Sequence, residues 1–97
     1  MQNSELASLR EEIDKIDEEL VELLSRRFHV TEQVGTVKAI HGLPAVDAER
    51  EAKQEQRLSQ LAERHGVNPE LVSNVFRAIV TEVVSNHVTI SKQHRGR

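Results

Sequence analysis

The sequence contains no cysteine, tryptophan or tyrosine and only two phenylalanines among its 97 residues. Without cysteine, a disulfide framework, a thiolate metal site and a cysteine nucleophile are all excluded. The core has to be built from aliphatic side chains, and a chain this short buries only a marginal core on its own. Unbroken apolar runs are short, as in Ala78-Ile79-Val80, which excludes a membrane-spanning helix.

The sequence also has no excess of positive charge. It contains 13 basic and 16 acidic residues, and its formal net charge is −3. Broad nucleic-acid binding usually requires a strongly basic domain, so nucleic acid is not an expected partner. The N-terminus is polar and acidic, which argues against a signal peptide. We therefore expect a cytoplasmic protein with no membrane partner.

Glycine and proline are scarce, and they cluster at two breaks in the chain, His41-Gly42-Leu43-Pro44 and His65-Gly66-Val67-Asn68-Pro69. A glycine after a helical pattern with a proline soon afterwards is typical of a helix end. The sequence thus predicts one all-α domain over residues 1–97. Its expected helices lie at about 4–41, 48–65 and 69–90, followed by a polar tail at 91–97 that we expect to fray.

The first segment carries apolar residues at alternating spacings of three and four, from Leu6 to Ile40, as in an amphipathic helix. Such a helix would be roughly 54 Å long. Two short partner helices do not cover an apolar stripe of that length, so the segment needs a second chain. The pattern therefore predicts that a second chain completes the helical bundle.

Local signals fix the helix starts. Asn3 or Ser4 is a suitable N-cap for the first helix, and Asp47 is a suitable N-cap for the second. Asn68-Pro69 provides an N-cap followed by proline at the first helical position. Gly35 weakens the first helix by about 1 kcal/mol relative to alanine but need not end it.

Two cations extend the apolar stripe of the first helix. Arg27 and Lys38 are separated by eleven residues, or about 1100° of helix rotation, so both project from one face about 16 Å apart. Two such side chains could hold a small anion between them. Arg10 lies about 100° away around the helix and would most easily join from a partner chain. The alternative is that each cation extends to water from the margin of the stripe.

Three further features have both an ordinary and a functional interpretation. Asp47, Arg50 and Glu51 resemble a helix cap with a solvated charged face. His87 continues the apolar stripe of the third segment, where a histidine is more often a core or edge residue. The histidines show no HxxxH spacing, so no metal site is expected.

Taken together, these positions resemble the all-helical class of chorismate mutases over nearly the whole chain, from Leu9 to about His87. Any one of the matching pieces is weak, but their order and spacing on three helices are specific. The pieces are Leu9-Arg10-Glu11-Glu12-Ile13-Asp14-Lys15-Ile16-Asp17, Leu23-Leu24-Ser25-Arg26-Arg27, Val34-Gly35-Thr36-Val37-Lys38, Pro44 with Asp47 and Arg50-Glu51, and Phe76-Arg77-Ala78-Ile79-Val80.

The resemblance implies a Claisen [3,3] rearrangement of chorismate to prephenate in phenylalanine and tyrosine biosynthesis, with no cofactor, metal or covalent intermediate. It also implies an intertwined homodimeric helical bundle, in which the two chains interlock through the long first helix and share their active sites. Cations placed in advance would select the compact substrate conformer and stabilise charge on the breaking ether oxygen.

The resemblance also implies roles for single residues. Arg27 and the partner's Arg10 would bind the carboxylates, and Lys38 would contact the ether oxygen and a carboxylate. Asp47 and Glu51 would meet the ring hydroxyl, with Arg50 assisting nearby.

Two positions depart from the family pattern. His87 stands where the family commonly has Gln or Glu donating to the ether oxygen, and a histidine ring also donates. Val83 stands where some members have a small polar residue. These departures leave isochorismate pyruvate lyase and 4-amino-4-deoxychorismate mutase as related alternatives, and a non-catalytic helical dimerisation module as a more distant one. Nothing resembles an appended dehydratase, dehydrogenase or synthase domain, so we expect a monofunctional enzyme.

Overall fold

In a computed structural model, residues 3–96 are described, and they form three helices. These are α1 (Ser4–Ile40), α2 (Ala48–Arg64) and α3 (Pro69–Arg95). No strand occurs within the described range, which confirms the predicted all-α class. The chain divides into two compact units, the first ending at Thr31 and the second beginning at Glu32, both within α1.

The helix starts follow the predicted capping residues. The side chain of Asn3 accepts a hydrogen bond from Leu6 N at 3.1 Å. Asp47 caps α2 by accepting from Arg50 N at 3.0 Å, and Asn68 caps α3 by accepting from Glu70 N at 3.0 Å. Each cap satisfies a backbone donor that the first helical turn leaves unpaired.

Both predicted breaks end a helix through a glycine in the left-handed region. Gly42 has a φ of 64° and Gly66 a φ of 67°, values that glycine adopts without steric strain. Beyond each glycine the chain turns back, as Leu43 N donates to Lys38 O and Val67 N donates to Ala62 O, both at 2.8 Å. These bonds are those of a Schellman motif, and they hold the loop after α1 against its last turn.

The third helix is longer than the sequence pattern predicts. The pattern places its end near Ile90, with residues 91–97 as a frayed tail, but the helix continues to Arg95. The residues Ser91 to Arg95 include no helix breaker, and Lys92, His94 and Arg95 place positive charge in the last turn. Such charge suits the negative end of the helix dipole, so polarity alone does not end the helix. Residue 97 lies outside the described residues.

The second unit contains the small core. Helices α2 and α3 pack against each other, and Ala62 and Ile79 are the buried apolar side chains among residues 3–96. In the same range no helix is both long enough and apolar enough to cross a membrane.

The first unit consists of a single amphipathic helix segment with its apolar face uncovered. Its exposed large apolar side chains range from 45% exposed, at Leu6, to 64% exposed, at Val21, whereas Leu24 and Phe28 are half-buried. The exposed members of the stripe are Leu6, Leu9, Ile13, Ile16, Leu20, Leu23 and Val30. Soluble chains rarely leave an apolar face of this extent in water, which marks it as an interaction surface.

Candidate functional site

Lys38 is held in place at the end of α1. Its side chain is half-buried, and Nζ donates to the carbonyl oxygen of Ala45 at 3.3 Å. Its own carbonyl accepts from Leu43 N, so backbone and side chain both contact the loop between α1 and α2. This anchoring restricts a long, flexible side chain before any ligand is bound, and it keeps a cation beside the start of α2.

The charged residues Asp47, Arg50 and Glu51, which the sequence singles out, lie at the start of α2. Asp47 and Arg50 are exposed, and one carboxylate oxygen of Asp47 serves as the helix cap. Glu51, one turn into the helix, is half-buried. The ordinary role as a cap is thus confirmed for Asp47, and its second carboxylate oxygen remains for other contacts.

His87 is the buried polar residue of the described range, with 4% of its surface exposed. The imidazole lies against the backbone of α1 at Gly35, where an added Cβ would come within 2.6 Å of His87 Cδ2. Val83, one turn earlier on α3, is half-buried. The structure therefore places His87 on the inward face of α3, as its position in the apolar stripe predicts.

A cleft of about 690 Å³ lies between α2 and α3, within the usual size range of small-molecule sites. Glu51 and Gln54 of α2 line it together with Val80 and Val84 of α3. Across the cleft, two other lining residues are joined, as Ser73 Oγ of α3 donates to Glu55 Oε1 of α2 at 3.2 Å. The remaining lining residues are Val46, Glu55, Leu58, Ser59, Pro69, Glu70, Ser73, Phe76, Arg77 and Thr81.

The two arginines of the predicted site belong to the first unit. Arg10 is exposed, whereas Arg27 is half-buried, with Nη1 shielded from solvent. The other candidates (Lys38, Asp47, Arg50, Glu51, Val83 and His87) all belong to the second unit. Within the described residues, no group of three His, Asp or Glu side chains lies close enough together to hold a metal ion.

Sequence reasoning missed two features. Gln54 and Glu55 line the cleft, but on the sequence they look like any other polar residues of α2. The sequence pattern presents Gly35 only as a weak point of α1, although an isolated glycine within a helical pattern also signals a close approach of another element. That second meaning is the one that the contact with His87 supports.

Comparison with known proteins gives this arrangement a family. Residues 9–88 match the family model described as chorismate mutase type II. That range includes every candidate residue from Arg10 to His87.

Three related proteins illustrate the match. The T-protein of Haemophilus influenzae is 40% identical over 81 residues, which are 84% of this chain and 22% of that protein. The bifunctional chorismate mutase/prephenate dehydratase of Escherichia coli is 30% identical over 92 residues, covering 95% of this chain and 24% of that protein. A 4-amino-4-deoxychorismate mutase of Streptomyces venezuelae is 28% identical over 82 residues, covering 84% of this chain and 80% of that protein. The chain thus spans less than a quarter of the length of the first two relatives.

Proposed function

Because this chain belongs to the chorismate mutase type II family, we propose that it catalyses the rearrangement of chorismate to prephenate, a step of phenylalanine and tyrosine biosynthesis. The observation that carries this function is the anchored, half-buried Lys38 beside the acidic start of α2, within the matched range. A fixed cation next to carboxylates suits a dicarboxylate substrate that also presents a hydroxyl group.

The reaction needs no chemical partner. The ether C–O bond breaks while a C–C bond forms within the same molecule, so no group leaves and nothing is oxidised or reduced. Negative charge gathers on the ether oxygen in the transition state, and Lys38 and His87 stabilise it by donating hydrogen bonds. Since both donors are fixed before the reaction, little reorganisation is required when the charge develops.

The remaining residues hold the substrate in its compact conformer. Arg27 and Arg10 of the partner subunit bind the two carboxylates, where a bidentate guanidinium is the fitting group. Glu51 and the second carboxylate oxygen of Asp47 accept from the ring hydroxyl, and Arg50 assists from the same helical turn. These roles follow the resemblance of each residue to its position in the family pattern.

Purified protein should convert chorismate to prephenate, without added metal or cofactor. The loss of chorismate absorbance gives the rate, and chromatography of the product, with mass spectrometry, identifies it. Salicylate and pyruvate formed from isochorismate, with chorismate left unchanged, would instead identify a lyase. Unchanged chorismate at high enzyme concentration would contradict the mutase assignment.

A second candidate substrate is 4-amino-4-deoxychorismate. The 4-amino-4-deoxychorismate mutase noted above matches this chain over 80% of its own length, unlike the two much longer relatives. The half-buried Val83 also lacks the polar group that some family members have there. Measuring kcat/KM for both compounds decides between them, because Asp47 and Glu51 would contact the group that differs. We expect chorismate to be preferred.

The active species is a homodimer in which α1 of one chain covers α1 and the cleft of the other. The uncovered apolar stripe of the first unit supports this assembly, since each leucine or isoleucine that is buried stabilises it by about 1.5–3 kcal/mol. The small core of the second unit supports it further, because the shared stripe would then serve as most of the core.

Leu20→Asp should abolish the dimer and much of the helical signal, because it places a charge at the centre of the stripe. Sedimentation velocity and circular dichroism at micromolar concentration measure both effects. Val21→Asp is the matched control: Val21 is 64% exposed and lies about 100° around the helix from Leu20. A wild-type chain that sediments as a folded monomer would contradict the assembly.

A further inference from the structure

The imidazole of His87 lies close to the backbone of α1 in the second unit. A Cβ placed on Gly35 would lie 2.6 Å from His87 Cδ2, 3.2 Å from His87 Nε2 and 2.9 Å from Ile90 Cδ1. Real Cβ atoms essentially never lie within 3.0 Å of a non-bonded heavy atom from elsewhere in the structure. The ring therefore occupies space that any residue other than glycine at position 35 would fill.

Backbone conformation does not explain the glycine. Positive φ angles occur at Gly42 and Gly66, whereas Gly35 lies within the continuous helix α1. Alanine would favour a helix interior more than glycine does. Gly35 is also the buried residue of α1 within the described range. It thus serves the contact with α3 at the expense of local helix stability.

We infer that Gly35 is a positioning residue, which sets the orientation of the His87 imidazole by leaving it room against the backbone of α1. Gly35 lies one turn before Lys38, so the same helix segment fixes the positions of both proposed donors to the ether oxygen. This role rests on the proposed function, in which His87 donates to that oxygen.

The two neighbours of Gly35 respond differently to an added methyl group. Ile90 Cδ1 is the end of a flexible side chain and is able to rotate away. The imidazole is a rigid ring with two side-chain torsions, so relief of a contact at Cδ2 turns or shifts both ring nitrogens together. Displacement of a catalytic donor by about 1 Å is enough to lower turnover strongly.

The test is a double-mutant cycle between positions 35 and 87. Gly35→Ala should lower kcat by about 5- to 10-fold with little change in KM, and no further than His87→Ala does, since it acts through one charge-directed hydrogen bond. In the His87→Ala chain, Gly35→Ala should change kcat by less than about 2-fold. An equal loss in both backgrounds would show a general structural defect and overturn the inference.

Two further variants separate the ring from its surroundings. Ile90→Val removes the Cδ1 atom and with it the 2.9 Å contact, so Gly35→Ala in that background keeps the closer contact with His87 and should still reduce kcat. Because the added methyl group has one close contact fewer, this double variant should fold even if Gly35→Ala alone does not. Gly96→Ala is the matched control, because a Cβ there would meet only Lys92 O at 3.4 Å and Gln93 O at 3.6 Å. It should leave kcat unchanged.

A spectroscopic measurement makes the result independent of activity. The imidazole ¹H–¹³C resonances of His87, assigned through their loss in His87→Ala, should shift in Gly35→Ala and not in Gly96→Ala. Unshifted resonances would overturn the positioning role whatever the kinetics. A wild-type chain that is inactive on chorismate and on its 4-amino analogue would overturn the proposed function and the catalytic part of this inference. The resonances would still decide whether Gly35 sets the orientation of the His87 imidazole.

Discussion

Lys38→Ala should lower turnover by about 10²–10³-fold, equivalent to about 2.7–4 kcal/mol of transition-state stabilisation. The ammonium group stabilises charge that develops on the ether oxygen only as the bond breaks. Removing the ammonium group should therefore lower kcat much more than it raises KM. Steady-state kinetics with chorismate measures the effect. Retention of most of the wild-type kcat would remove Lys38 from the site.

The contact of Lys38 with the loop requires its own control, since Nζ also donates to Ala45 O. Lys38→Met keeps a side chain of similar length without the charge, and should lose as much activity as the alanine variant. Lys53→Ala is the matched control for removing a lysine outside the proposed site. Lys53 is 71% exposed and pairs with exposed Glu49 at 3.2 Å. Such a surface pair contributes little, so Lys53→Ala should remain within about 2-fold of wild type.

Local chemistry explains why much of the fold is predictable. Asn3, Asp47 and Asn68 cap the helices because a short polar side chain before a helical run satisfies the same backbone donors in any protein. Gly42 and Gly66 end helices for a similarly local reason. The predicted end of α3 is wrong because residues 91–95 are polar but compatible with a helix. Where no glycine or proline interrupts the chain, polarity alone does not indicate the end of a helix.

The site is predictable to a smaller extent, because its contacts join distant parts of the sequence. The inward position of His87 follows from its place in a stripe, but its contact with Gly35 depends on how closely α3 approaches α1. No periodicity encodes that distance. The cleft between α2 and α3 is likewise a product of packing, so Gln54 and Glu55 could not be identified before the helices were seen together.

Mixing two inactive variants should restore activity. Arg10→Ala and Arg27→Ala should each raise KM, because these arginines hold carboxylates in the ground state as well as the transition state. They should also lower kcat, because the arginines hold the substrate in its compact conformer. If each site combines Arg27 of one chain with Arg10 of the partner subunit, a mixed dimer contains one intact site and one that lacks both arginines. Random pairing makes half of the dimers mixed, so about a quarter of the wild-type activity should return.

The experiment depends on exchange of chains. The dimer should dissociate only on unfolding, so the two variants are unfolded together in denaturant and refolded, and the same proteins refolded separately and then combined are the control. Activity in the co-refolded sample alone would demonstrate sites shared between chains. A refolded mixture that stays as inactive as its components, although a tag on one variant captures the other, would instead place Arg10 and Arg27 of each site on the same chain.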